Sequence, residues 1–251
     1  MTMSISMPIQ KHAGTLLLML LLIGLWQCVH WKVGADALSS PWATAVKLAG
    51  MLASGELNPH IAATAGALIY ALVLGLLGGV ALGVLLGVHR LTGAVAEPIL
   101  LNLYAIPKVT LYPLVLLIFG LGLSAKVAFG VMHGLIPIMI FTMNAIRQLP
   151  PVYLRAAKTM HMSLKQTVVH VLLPAVLPEV MAGLRLGFSL TLLGVLIGEM
   201  FASQRGLGYV ITNAMGLGDI ATVMAVALLL TICAVSCNTL FLMFDRHLQH
   251  R

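Results

Sequence analysis

The chain has 251 residues, of which 60% are hydrophobic and 8% charged, and its mean hydropathy is +1.04. Soluble domains carry roughly 25% charged residues, so this composition excludes a soluble globular protein and specifies an integral membrane protein. The excess of 14 Lys and Arg over 7 Asp and Glu is of the kind that cytoplasmic loops collect, and it calls for no nucleic-acid partner.

At ~20 residues per span, the length suits a single all-α domain over 1–251 with about six membrane helices. The first span is expected over about 13–30. Ala35-Asp36-Ala37 has the form of a leader cleavage site, but Trp26 and Trp31 are interfacial anchors that suit a retained span. Pro41 then opens an amphipathic stretch to about Leu52, which Ser54-Gly55 closes. The second span, about 61–88, carries Gly75, Gly79, Gly83 and Gly87, a four-residue ladder that invites close approach of another helix.

From Glu97 to Gly122 the chain is apolar but punctuated by Pro98, Pro107 and Pro113, with Asn102, Lys108 and Thr110 between them. Prolines in membrane helices free carbonyls that protein or a water-lined cavity must satisfy, so this segment is a candidate pathway lining. Lys108 is suited either to an anion in transit or to a structural pairing or snorkel. Ser124 is placed to cap a span over about 125–146, which contains His133, a pathway candidate or a hydrogen-bonded packing residue. A later span runs from Pro174 to about Gly198 with Gly183 and Gly187 as a small-residue pair. Within it Arg185 has the same two readings as Lys108. Glu199 sits at its edge, to pair with Arg205 or face water. The last span covers about 220–243.

Between the fourth and fifth spans lies the one long segment that is neither span nor tail, PPVYLRAAKTMHMSLKQTVVHVLLP, 150–174. Pro150-Pro151 end one helix and start another. Ser163 and Gln166 have capping-box spacing, so a second short helix begins at Ser163. The stretch reads as helix, tight turn, helix at a membrane surface. With the N-terminus inside, Lys11, Arg90, Arg147, Arg155, Lys158, Lys165, Arg246 and Arg251 fall on the cytoplasmic side and Lys32, Lys47, Lys126 and Arg205 outside. This bias places both termini and 150–174 in the cytoplasm.

Cys28, Cys233 and Cys237 lie in apolar runs and form no disulfide or metal framework. The sequence has no P-loop, HExxH, GxSxG or GxGxxG, so it offers no catalytic residues, no metal site, and no means of hydrolysing ATP itself.

Ala156-Ala157 followed by Val171, Leu173 and Pro174 resembles the EAA loop of permease subunits of binding-protein-dependent ABC importers. That motif reads Glu-Ala-Ala, three residues, Gly, nine residues, Ile, one residue, Leu-Pro. Arg155 stands at the glutamate position, which would call for an acidic partner surface, and His161 stands at the glycine position. The stretches IPKVTLYPLVLLIFGLGLSAK, GLRLGF, LIGEMF and GLGYVI are similar to landmarks of the nitrate, sulfonate and taurine group of these permeases. The resemblance covers about 38 to the C-terminus and implies a type I ABC-importer permease fold with a core over about 61–246, in a bacterial inner membrane. It implies a homodimer, soluble ATPase subunits that consume ATP and Mg, a substrate-binding protein outside, and no cofactor on this chain. In the family the 150–174 loop would couple to the ATPase. Ala156 and Ala157 would allow close approach, and Val171, Leu173 and Pro174 would pack the loop on its own membrane helix. An ATP-independent secondary transporter is the alternative; it would show matched halves with intramembrane charges, and no such repeat is present.

Overall fold

The computed structural model describes residues 7–249, with side chains from residue 14 onward except at 164, 202, 244 and 246–249. Arg251, counted above among the inward cations, lies outside them. The helices are α1 (Met7–Val33), α2 (Pro41–Ala53), α3 (Asn58–Val88), α4 (Arg90–Ala105), α5 (Tyr112–Phe119), α6 (Leu123–Arg147), α7 (Pro151–Thr159), α8 (Leu164–Thr167), α9 (Leu173–Ala202), α10 (Leu207–Leu217) and α11 (Ile220–Gln249). Among the described residues there is no strand. Five helical segments are long and apolar enough to cross a membrane: 14–33, 58–88, 123–147, 165–201 and 220–243. Counted together as one broken span, α4 and the Lys108–Phe119 segment, bent against each other by 80°, bring the number to six. The break in this sixth span falls at Ile106-Pro107, while Pro98 stays inside α4. The segment then reverses into α6 at Gly120 (φ 71°) and Gly122 (φ 112°), left-handed positions that glycine occupies without a Cβ penalty. Ser124 does not cap α6: its hydroxyl donates to the Phe119 carbonyl at 2.7 Å, and the N-cap is Gly122.

The helices group into two units, one of residues up to Leu57 with 210–231, the other of 58–209 with residues from Ile232 onward. In the first, α1 passes unbroken through Trp26 and Trp31, and the Trp26 indole donates to the Ser39 carbonyl at 2.9 Å. Ser40 caps α2, accepting from the Ala43 N–H at 3.2 Å, with Pro41 at the first helical position. Asp219 caps α11. It accepts from the Thr222 N–H at 3.0 Å and from the Thr222 hydroxyl at 2.6 Å. These bonds, more than Lys47 at 4.0 Å, hold its carboxyl below the usual aspartate range.

The second unit is built on α6, which lies between α3 and α9. A Cβ on Gly79 of α3 would fall 2.8 Å from Ile138 Cγ2, one on Gly83 would fall 2.6 Å from Thr142 Cβ, and one on Gly87 would meet the Met143 carbonyl at 2.9 Å. Gly75 is looser, at 3.9 Å from the Leu135 nitrogen. On the other face, Gly183 and Gly187 of α9 stand against Phe141 and Ile138, each leaving only 2.6 Å to a Cβ. From the α6 side, Gly134 is filled by the Thr191 hydroxyl of α9. In lipid, with no hydrophobic drive between helices, such backbone-to-side-chain fit is the main source of association. The seam accordingly buries Phe129, Ile138 and Met143 completely.

Candidate coupling loop and translocation residues

Residues 150–174 form a hairpin whose every turn has a local cause. α7 starts with Pro151 at its first position and ends at Met160. His161 follows in the left-handed conformation (φ 52°), the only non-glycine with positive φ among the described residues. The Met162 N–H bonds to the Ala157 carbonyl at 3.0 Å and the His161 N–H to the Lys158 carbonyl at 3.0 Å. This is the two-bond Schellman closure, with histidine at the position that glycine usually takes. The next helix opens with a complete capping box. The Ser163 N–H donates to Gln166 Oε1 at 2.8 Å, and the Gln166 N–H donates to Ser163 Oγ at 3.3 Å. α8 then widens into a π turn over Val168–Leu172, where the Leu173 N–H reaches back to the Val168 carbonyl, and runs on without a break into α9.

The orientation of α7 corrects one expectation and sharpens another. Ala157 is only 2% exposed, so its side chain is packed inside the chain and not presented outward. At about 100° per residue, Arg155 lies about 160° away from Ala157 around the helix. Val152, Arg155, Ala156 and Thr159 thus form the outward face, and all four are exposed. Of the three residues expected to pack the loop onto its span, Val171 is half-buried, but Leu173 (52%) and Pro174 are exposed. The wide turn leaves them pointing out.

The pathway candidates do not converge on one site. Asn102 is exposed and Arg185 half-buried. Lys108 is 9% exposed in the short turn at the elbow, donating to the Tyr104 carbonyl at 3.0 Å with its ammonium 4.8 Å from the Tyr104 ring centre. His133 is also buried. Its Nδ1 lies 2.8 Å from the Phe129 carbonyl, which makes it the donor and leaves Nε2 without that proton.

Glu199 requires the plainest correction. It neither faces water nor pairs with the Arg205 side chain; it is fully buried. Its carboxylate accepts from Thr64 at 2.8 and 3.0 Å and from the Gly208 N–H at 3.0 Å, and it stands 3.5 Å from Lys126 Nζ. Lys126 is 5% exposed and also donates to the Arg205 carbonyl at 2.6 Å. The Thr64 hydroxyl in turn accepts from Leu207 N–H at 2.8 Å. Gly206 and Gly208 make this possible, since a Cβ at either would collide with Glu199 or with the Leu196 carbonyl. Thr64 and Lys126 were not readable from the sequence as partners of Glu199, because 135 and 73 residues separate them. The only signal was a glutamate just ahead of a Gly-x-Gly. A second ion pair, Arg147 to Glu97 at 2.6 Å, ties the end of α6 to α4.

Among the described residues the chain is an all-α bundle of five to six membrane helices interrupted by a two-helix hairpin. The fold matches that of the MetNI methionine ABC transporter in an inward-facing conformation, with a TM-score of 0.62 and 23% identity over 76% of this chain and 95% of the other. Residues 75–251 match the family model described as binding-protein-dependent transport system inner membrane component. A Bacillus subtilis protein described as an aliphatic sulfonates transport permease is 30% identical over 205 residues, 79% of this chain and 73% of its own length. The taurine transport system permease of Escherichia coli is 27% identical over 155 residues, 62% of this chain and 56% of its own. The chain belongs to this family: it is a multi-pass inner-membrane permease subunit of an ABC importer and not an enzyme.

Proposed function

We propose that the chain moves a small sulfonate-, taurine- or nitrate-like solute into the cytoplasm by alternating access, as one half of a homodimer. Separate ATPase subunits bind the 150–174 hairpin and consume Mg-ATP, a soluble binding protein delivers the solute from outside, and both termini lie in the cytoplasm. The single observation that carries this reading is the outward face of α7. A helix closed at both ends by its own sequence, and seated on a continuous path into α9, presents Arg155 flanked by Ala156 and Thr159 to a partner and transmits its displacement directly into a membrane span. The solute class rests on the descriptions of the relatives and on buried Lys108, whose ammonium has no carboxylate partner among the described residues.

The test is co-purification. Tagged protein from native membranes is expected to bring an ATPase with it, and Ala156→Glu, on the exposed face, is expected to release that ATPase without altering thermal stability. Ala157→Glu is expected instead to loosen the hairpin itself. If wild-type complexes contain no ATPase, the coupling role is wrong.

A further inference from the structure

The hairpin's charge identifies the chemistry of its partner. No Asp or Glu occurs between Glu97 and Glu179. Of the cations in that interval, Lys126 and Arg147 find carboxylates from outside it. Arg155, Lys158 and Lys165 find none among the described residues, and all three are exposed. Glu179, the carboxylate on the adjoining part of α9, lines a crevice of about 480 Å³ with Tyr153 and makes no ion pair with them. His161 and His170 are exposed on the same hairpin. An i, i+4 acidic residue would have stabilised α7 locally; the helix has none.

We infer that the ATPase groove receiving this hairpin is lined with carboxylates that pair with Arg155 and Lys158, so that recognition between the two subunits is selective by charge. This rests on the coupling role proposed above. Arg155 occupies the centre of the outward face, and Lys158 lies about 100° from Ala157, at the edge of the same face. The planar fork of Arg155 suits a bidentate carboxylate contact. The competing occupant is anionic lipid, and the face is poorly made for it. Interfacial helices bury a broad face of large apolar side chains, whereas here Val152 stands alone among Ala156, Thr159 and Arg155, and the exposed Tyr153 (46%) and Leu154 (43%) lie on the other side of the helix. A polar groove with acidic walls fits this face, and it would reject an ATPase whose groove is basic.

The experiment uses the tagged full-length chain purified from native membranes in mild detergent. The co-purified ATPase is identified by mass spectrometry and quantified by Mg-ATP hydrolysis, and bound lipids are measured in parallel. Wild type is compared with R155E/K158E, R155Q/K158Q and a remote charge control, Lys32→Glu. Retention of the ATPase is expected to fall by about tenfold or more in the double reversal, by less in the neutral pair and not at all in the control, and to weaken in wild type between about 50 and 500 mM salt. Retention unchanged in R155E/K158E overturns the acidic groove while leaving the coupling role intact. Unchanged retention with a loss of bound phosphatidylglycerol also overturns it and assigns the face to lipid. Absence of ATPase from wild type removes the coupling role and this inference with it.

Discussion

The two ends of the path formed by α8 and α9 follow opposite rules. At the Glu199 end, each buried polar group is satisfied by the chain itself: the carboxylate by Thr64, Gly208 and Lys126, the ammonium of Lys126 by Glu199 and the Arg205 carbonyl. At the hairpin end, Leu173 and Pro174 are exposed, and Arg155, Lys158 and Lys165 have no carboxylate partner among the described residues. The first end is finished within one subunit. With the coupling role proposed above, the second meets a partner, and the difference predicts that substitutions at the Glu199 end act on stability and those on the outer hairpin act on assembly.

The largest effect is expected at Glu199. Glu199→Ala leaves Lys126 buried without its counter-charge, and breaking a buried pair this way is worth about 3–5 kcal/mol. Thermal unfolding in detergent should show this loss, and Lys126→Met in the Glu199→Gln background should recover part of it. Additive losses would mean that the two side chains do not act as a pair. Next comes the α6·α9 seam. Gly134→Leu drives a side chain into Thr191 and is expected to destabilise by about 3 kcal/mol, at the upper end of overpacking, seen as aggregation on size exclusion.

Smaller effects belong to the hairpin. His161→Val forces a β-branched residue into the left-handed region and should loosen the turn by about 1–2 kcal/mol, while His161→Gly should tighten it. Ser163→Ala removes one arm of the capping box, about 1 kcal/mol. Both are read by amide exchange across 160–167, and neither should move the global unfolding midpoint. If they do, the hairpin is part of the core and the contrast between the two ends fails. The smallest effect concerns Asp219. Because its carboxyl titrates lower in the folded protein than in the unfolded one, it stabilises the α11 cap fully above the unfolded value near 3.9 and loses that contribution as pH falls through its depressed folded value. Exchange at Thr222 should therefore accelerate only below about pH 4, and Asp219→Ala should remove the pH dependence.

Features governed by neighbouring residues were legible in the sequence. Span count follows from apolar length, the capping box from Ser163 and Gln166, and the interrupted sixth span from Pro107. The glycine ladder gave the existence of a close contact but not its partner, because 75, 79, 83 and 87 specify only that something approaches. That partner is α6. Two features stayed hidden for the same reason. The Lys126–Glu199 pair and the Thr64 bridge depend on how distant helices rotate about their axes, and periodicity in a uniformly apolar helix leaves that rotation undetermined. Glu199 looked like a surface charge because its neighbours in sequence lie at a span end, while its burial is supplied by residues far along the chain.

The π turn at Val168–Leu172 sets the mechanical phase between hairpin and span. One additional residue in a turn rotates everything beyond it by about 100°, so the face that α7 shows to the outside is indexed to α9 by a single widened turn. Deleting one residue from 168–172 would leave helix content almost unchanged and swing Arg155 around the axis of α9 by that angle. The chain would remain a folded membrane protein, and with the coupling role proposed above it would present a different face to the ATPase.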